Sequence, residues 1–118
     1  MANELTVSAS LSFSKSGVEA SLSYGGLRFT VTGAKATRIV QAIGTSEEAL
    51  DLGDVGTSGY ILIKNLDSTN YVSIRPGTGT ANCIKLKAGE IAMFRIETAP
   101  WAIANTAACN VEFLLIEN

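Results

Sequence analysis

The sequence predicts an all-β protein, an antiparallel sandwich or barrel, on three observations. Apolar residues recur at every second position through much of the chain, about nine or ten such runs follow one another at intervals of roughly 8 to 12 residues, and Gly- or Asx-rich turns separate them. No convincing long helical period interrupts the pattern. At 118 residues the chain is read as one domain, 1–118, and folding at this length buries roughly two-thirds of the surface of the extended chain.

The first run alternates cleanly. Leu5, Val7, Ala9, Leu11 and Phe13 take one face and Thr6, Ser8, Ser10, Ser12 and Ser14 the other, a strand with one face buried. Lys15-Ser16-Gly17 supplies a turn, and Val18, Ala20, Leu22 and Tyr24 then alternate with Glu19, Ser21 and Ser23 to complete a hairpin. Gly25-Gly26 punctuates the chain before Leu27, Phe29 and Val31, so an opening meander of three strands is expected.

Ala36 to Ile43 is β-branched enough for a strand, although so brief an apolar run also suits a short helix. Glu47 to Leu52 reads as a loop entering a short strand, and the three glycines between Gly53 and Gly59 mark a surface loop. Tyr60-Ile-Leu-Ile-Lys-Asn-Leu66 carries apolar residues on both faces and is expected to be a central strand. Asp67 to Asn70 forms a turn of side chains that bond their own backbone, and Tyr71 to Arg75 returns from it. Pro76-Gly-Thr-Gly-Thr80 is the loop with the most flexible composition. Cys83 to Lys87 pairs with Ile91 to Ile96 across Ala88-Gly89-Glu90 as an expected hairpin, and strands from Trp101 to Ala104 and from Val111 to Ile116 close the pattern.

Composition narrows the function classes. The chain is 47% hydrophobic and only 17% charged, against roughly 25% in ordinary soluble domains, and Ala, Ser, Thr and Gly make up the difference. A net charge of −2 carries no electrostatic footprint for a nucleic-acid backbone or an anionic membrane, so neither is expected as a partner. Histidine is absent, which removes the commonest general base, the commonest metal ligand and the usual pH switch. The expectation is therefore a protein that is not an enzyme and takes no cofactor or metal.

The remaining candidates divide between chemistry and packing. Glu47 with Glu48, and Asp51 with Asp54, are the closest carboxylate pairs, and both read as solvated loop charge rather than as the acid and base of a glycosidase. Asp51, Asp54 and Asp67 offer oxygen ligands for calcium at a spacing that matches no known loop. Cys83 and Cys109 can pair only if the fold brings their Cα atoms within about 7 Å; otherwise they are small apolar residues, and their number and spacing make no zinc site. The N-terminal residues have neither the basic nor the apolar region of a secretory signal, and no apolar run approaches the roughly 20 residues of a membrane span, so synthesis in a cytoplasm is expected.

Trp101 with Tyr24, Tyr60 and Tyr71 reads first as core, or else as a stacking platform for sugars or single-stranded nucleic acid. Residues 1–14 are either an ordinary edge strand or an arm contacting a neighbouring subunit, because a strand with a neutral hydroxyl face can add to another sheet. Leu5, Val7, Leu11 and Phe13, together with Trp101, are accordingly the candidate partner-binding residues. A low-charge Ser/Thr/Ala surface suits a module largely covered by neighbours.

Residues 48 to 96 carry a pattern. A glycine-bounded loop leads to a strand ending Lys64-Asn65-Leu66-Asp67, a turn reaches Asn70-Tyr71-Val72, and Leu86-Lys-Ala-Gly-Glu90 follows. This resembles small virion structural proteins of tailed bacteriophages, with Asn65, Asp67, Asn70, Gly89 and Glu90 in the structural turn positions. The chain departs from that pattern at Arg75-Pro76-Gly77, where Gly is expected directly after Val72-Ser-Ile74.

The resemblance implies a jelly-roll-like β-sandwich and a non-enzymatic virion component, foremost a capsid decoration or cement protein that binds the major capsid protein shell. It would act as a homo-oligomer on the capsid surface after synthesis in the host bacterial cytoplasm. A tail or head-to-tail component is the alternative within that class, and a carbohydrate- or receptor-binding module is the alternative outside it.

Overall fold

The computed structural model describes residues 3–118, and these form ten strands. Contacts divide the chain into two compact units, Met1–Thr32 and Gly33–Asn118. The sandwich expected over 1–118 is confined to the second.

The first unit is a two-stranded antiparallel ribbon, β1 (Leu5–Lys15) and β2 (Val18–Phe29). Ser16 and Gly17 join the strands with φ of 51° and 82°, the two left-handed residues of a tight turn whose twist matches that of a hairpin. The expected third strand does not exist separately, because Gly25-Gly26 continues β2 through a bulge opposite Ser8. The cause lies in the parity of the sequence. Apolar residues occupy even positions from Val18 to Tyr24 and odd positions at Leu27 and Phe29, and one extra residue returns both sets to the same face. Gly26 adopts φ 64° there and donates its N–H to Ser8 Oγ at 3.0 Å. At the open end of the ribbon, Arg28 Nη2 donates to the Asn3 carbonyl at 2.9 Å and Val31 N–H donates to Glu4 Oε2 at 3.1 Å.

The second unit contains β3 (Ala36–Ile43), β4 (Glu48–Ala49), β5 (Ser58–Asn65), β6 (Val72–Arg75), β7 (Ile84–Leu86), β8 (Ile91–Arg95), β9 (Trp101–Ala104) and β10 (Cys109–Glu117). They form two four-stranded sheets, ordered β3-β10-β5-β8 and β4-β9-β6-β7. The pairing is nested: β3 pairs with β10, β4 with β9, β5 with β8 and β6 with β7, all antiparallel. Successive pairs alternate between the sheets, so the chain is one long ribbon folded at β6–β7 and rolled up. Cross-links β10–β5 and β9–β6 complete the sheets. This eight-stranded arrangement is a jelly roll.

The core lies between the sheets. Val111, Phe113 and Leu115 of β10, Ile61 and Ile63 of β5 and Ile43 of β3 meet Val72 and Ile74 of β6, Leu86 of β7, and Ala102 and Ala104 of β9. Leu50 and Val55 close it from the connection between β4 and β5. β5 is central as expected, between β10 and β8, but only one of its faces is covered and Leu62 remains 42% exposed.

The hairpin expected between residues 83–87 and 91–96 is not formed. β7 pairs with β6 and β8 with β5, so Ala88-Gly89-Glu90 carries the chain from one sheet to the other. Asn65 diverts it: the Gly89 N–H donates to the Asn65 carbonyl and the Asn65 N–H to the Glu90 carbonyl, both at 3.0 Å, which lays β8 beside β5. The two cysteines are free, Cys83 exposed and Cys109 buried.

Candidate functional site

The feature of the ribbon that calls for explanation is its face. Cross-strand partners in an antiparallel pair present their side chains on one side, and the register joins Leu5 to Phe29, Val7 to Leu27, Ala9 to Tyr24, Leu11 to Leu22 and Phe13 to Ala20. One side is therefore apolar along a length of roughly 35 Å, at about 3.4 Å per residue. Val7 is buried, but toward the turn the side chains stand open: Leu11 is 76% exposed, Leu22 59%, Val18 58%, and Phe13 and Tyr24 54% each. The opposite side pairs Thr6 with Arg28, Ser10 with Ser23, Ser12 with Ser21 and Ser14 with Glu19, short hydroxyls along its middle with one charge toward each end.

Of the residues proposed to bind a partner, Leu5, Val7, Leu11 and Phe13 thus share one face. Trp101 does not belong to it. It lies half-buried on β9 of the second unit, beside Arg75 of β6 and Ala49 of β4 in the ladder. Leu22, Tyr24 and Leu27 complete the face and were not assigned to it from sequence. Their signal was the alternation itself, carried across Gly25-Gly26 by a change of parity.

The aromatic residues are dispersed. Tyr24 belongs to the ribbon, Tyr60 to β5, Tyr71 to the approach to β6 and Trp101 to β9. Lys85 Nζ sits 4.2 Å from the ring centre of Tyr71 and the Arg95 guanidinium carbon 4.9 Å from that of Tyr60, so a cation covers one face of each ring.

The turn residues converge at one end of β5. Asn65, fully buried, donates Nδ2 to the carbonyls of Asn70 and Leu86 at 2.9 and 3.1 Å and accepts the Asp67 N–H on Oδ1 at 3.0 Å. Asp67 Oδ2 accepts the N–H groups of Thr69 and Asn70, and these hold its carboxyl below the usual value. Glu90 Oε1 accepts the Lys87 N–H at 2.8 Å, with Gly89 between at φ 77°. Asn70 contributes its backbone.

Several loop carboxylates are anchors rather than solvated charge. Glu47 accepts from Arg75 Nη1 at 2.8 Å, from Thr78 Oγ1 at 2.7 Å and from the Gly79 N–H at 2.9 Å, and these contacts, the Thr78 hydroxyl foremost, hold its carboxyl low. The Pro76–Thr80 loop, flexible by composition, is tied down in this way. Glu48 accepts from Gln41 Nε2 and the Gly44 N–H, and Asp51 Oδ1 from the Gly53 N–H. Among the described residues no group of three or more His, Cys, Asp or Glu side chains is placed to hold a metal ion.

A cleft of about 380 Å³ opens where β7 and β8 edge the two sheets, walled by Ile74, Ile84, Phe94 and Ile96 and rimmed by Arg75, Arg95 and Glu97. The surface able to do most is therefore the ribbon face, which can exclude water from an apolar partner at no cost in buried charge. No family model, no curated protein and no solved structure matches the chain.

Proposed function

We propose that the chain is a non-enzymatic virion structural protein, a capsid decoration or cement protein that binds an assembled shell of major capsid protein and stabilises it. The observation that carries this reading is the apolar ribbon face, open over Leu11, Phe13, Leu22 and Tyr24. Patches of this size on soluble proteins mark interaction sites. Support also comes from the resemblance over residues 48 to 96, from the low charge of the chain, and from the jelly roll, an architecture that viral capsid and lectin domains use.

The mechanism is mass action. A protein that binds only the assembled shell stabilises it by the free energy of that binding, about 2.7 kcal/mol per site when its free concentration is a hundred times Kd. The test incubates the purified protein with empty shells. Co-sedimentation and a raised shell melting temperature are expected, both lost in the Leu11→Ser/Phe13→Ser variant. Shells that neither bind the protein nor melt higher refute the reading, and localisation of the chain to the tail or neck by electron microscopy of whole particles moves it to a tail or head-to-tail component.

A further inference from the structure

We propose that the apolar ribbon face is covered in solution by the same face of a second copy of this chain, so that the protein associates through its hairpins. This deepens the reading above and rests on its identification of the face as a protein contact: a second copy occupies the face in free solution and gives it up when a shell takes its place.

Stability gives the first reason. A two-stranded ribbon is marginal in water by itself and needs an apolar face covered to persist. All the strands of this ribbon's sheet are β1 and β2, and β2 is exposed along its whole length. The occupant present at the chain's own concentration, wherever the chain is made, is another copy.

Area gives the second. Leu11, Phe13, Val18, Leu22, Tyr24 and Leu27 are each between 40% and 76% exposed. With roughly half of a side-chain surface on the order of 200 Å² open at each, they present roughly 600 Å². That is most of the roughly 800 Å² per partner found in a stable interface, and it stands at the upper end of patches left open on monomers.

Charge and shape give the third. A two-fold interface sets a patch against itself, so a patch must be its own complement. From Leu5 to Phe13 and from Ala20 to Phe29 the apolar positions carry no charge, and Lys15 stands alone at the turn. Two ribbons stacked in opposite directions put their Lys15 side chains at opposite ends, whereas stacking in the same direction brings like charges together. The aromatic rings also stand beside alanines, Tyr24 across from Ala9 and Phe13 across from Ala20, which gives ridges and hollows for packed sheets to interlock.

The test is sedimentation equilibrium of the full chain over a hundredfold concentration range, in 0.15 M and 1 M NaCl. The expected result is a mass of at least two 12.3 kDa chains that does not fall at high salt. Leu11→Ser/Leu22→Ser, which changes one cross-strand pair on the face, is expected to shift the dissociation constant at least a hundredfold toward monomer. Ser12→Lys on the opposite side is expected to leave it within threefold.

Unchanged Trp101 fluorescence and unchanged thermal unfolding show that the sandwich remains folded, and retained cross-strand NOEs between Val7 and Leu27 show that the ribbon remains paired. A wild-type monomer at every concentration overturns the proposal, as does a Leu11→Ser/Leu22→Ser variant that still associates, which would assign assembly to the ribbon edges or to another surface. Shell binding is read separately. A monomer that binds shells through Leu11 and Phe13 sinks this inference and keeps the proposed function, and an oligomer indifferent to shells does the reverse.

Discussion

The side-chain amide of Asn65 donates to the carbonyl of Leu86 at 3.1 Å inside the sandwich, tying the end of β5 to the end of β7 in the other sheet. The same amide donates to the Asn70 carbonyl and its oxygen accepts the Asp67 N–H, so one buried side chain closes three backbone groups. Asn65→Ala leaves all three without that partner and is expected to cost about 2–4 kcal/mol. Urea unfolding followed by Trp101 fluorescence measures it, with the slope unchanged. Asn65→Asp keeps only the acceptor and places a charge in a dry site, so it should be no milder. A loss below about 0.5 kcal/mol for Asn65→Ala would show that the loops are held by other contacts.

The two thiols should separate in reactivity. Cys83 is exposed, whereas Cys109 is buried with its Sγ 3.5 Å from the Ala107 carbonyl, and burial pushes its thiol up from the ordinary value. Both effects withdraw the reactive thiolate. A chromogenic disulfide reagent is expected to titrate one thiol per chain at pH 8 and a second only in guanidinium chloride. Cys83→Ser should abolish the native reaction. Two fast thiols would mean that β10 opens at Cys109 far more readily than its pairing implies.

Period-two alternation made most strands legible, because a side chain's face follows directly from its parity, and Leu5 to Phe13 or Val111 to Leu115 needs no further information. Partner choice was another matter. β10 lies between β3 and β5, and nothing in the residues of Val111 to Leu115 selects those strands over other apolar runs. The expected hairpin across Gly89 is absent for the same reason: Lys87 to Glu90 makes the tight turn, but the backbone of Asn65 captures it and sets β8 in the other sheet. Glu117 was illegible as an anchor because its contact with Ala34 spans 83 residues and leaves no local signature. The ribbon face is visible on β1 and on β2 from Val18 to Tyr24, and its last part, Leu27 and Phe29, lies behind a glycine pair that reads equally as a turn or a bulge.

Acid should destabilise the sandwich through its anchoring carboxylates. Glu117 accepts the Gly56 and Ala34 N–H groups at 3.0 and 3.1 Å, and the Gly56 contact foremost holds its carboxyl below the ordinary 4.5. Glu47 and Asp67 are lowered likewise. A carboxyl depressed in the folded state binds its proton more readily when unfolded, so its contribution is complete above the ordinary range and is lost as pH falls through the folded value. With no histidine to titrate, the urea midpoint is expected to be flat from pH 7 to pH 5.5 and to fall below about pH 4.5. Glu117→Gln should lower the midpoint at pH 7 and make the acid fall shallower. An identical fall in the variant would exclude Glu117 as a contributor.

Parity at the bulge yields the sharpest test of the ribbon. The pairs Leu11 with Leu22 and Phe13 with Ala20 lie on the turn side of Gly25-Gly26, and Leu5 with Phe29 and Val7 with Leu27 lie beyond it. Deleting Gly25 leaves one residue opposite Ser8 in place of two, so the bulge closes and Leu27 and Phe29 keep the face of Leu22 and Tyr24 by plain alternation. Cross-strand side-chain NOEs from Leu11 to Leu22 and from Val7 to Leu27 are then both expected to persist. Gly26→Val keeps the residue count but places a β-branched residue at φ 64°, which should weaken the open end of the ribbon by about 1–2 kcal/mol without moving the register. If the deletion variant kept the Leu11 to Leu22 contacts but lost those of Val7 to Leu27, Gly25 would be more than one extra residue opposite Ser8, and the parity account of the face would fall.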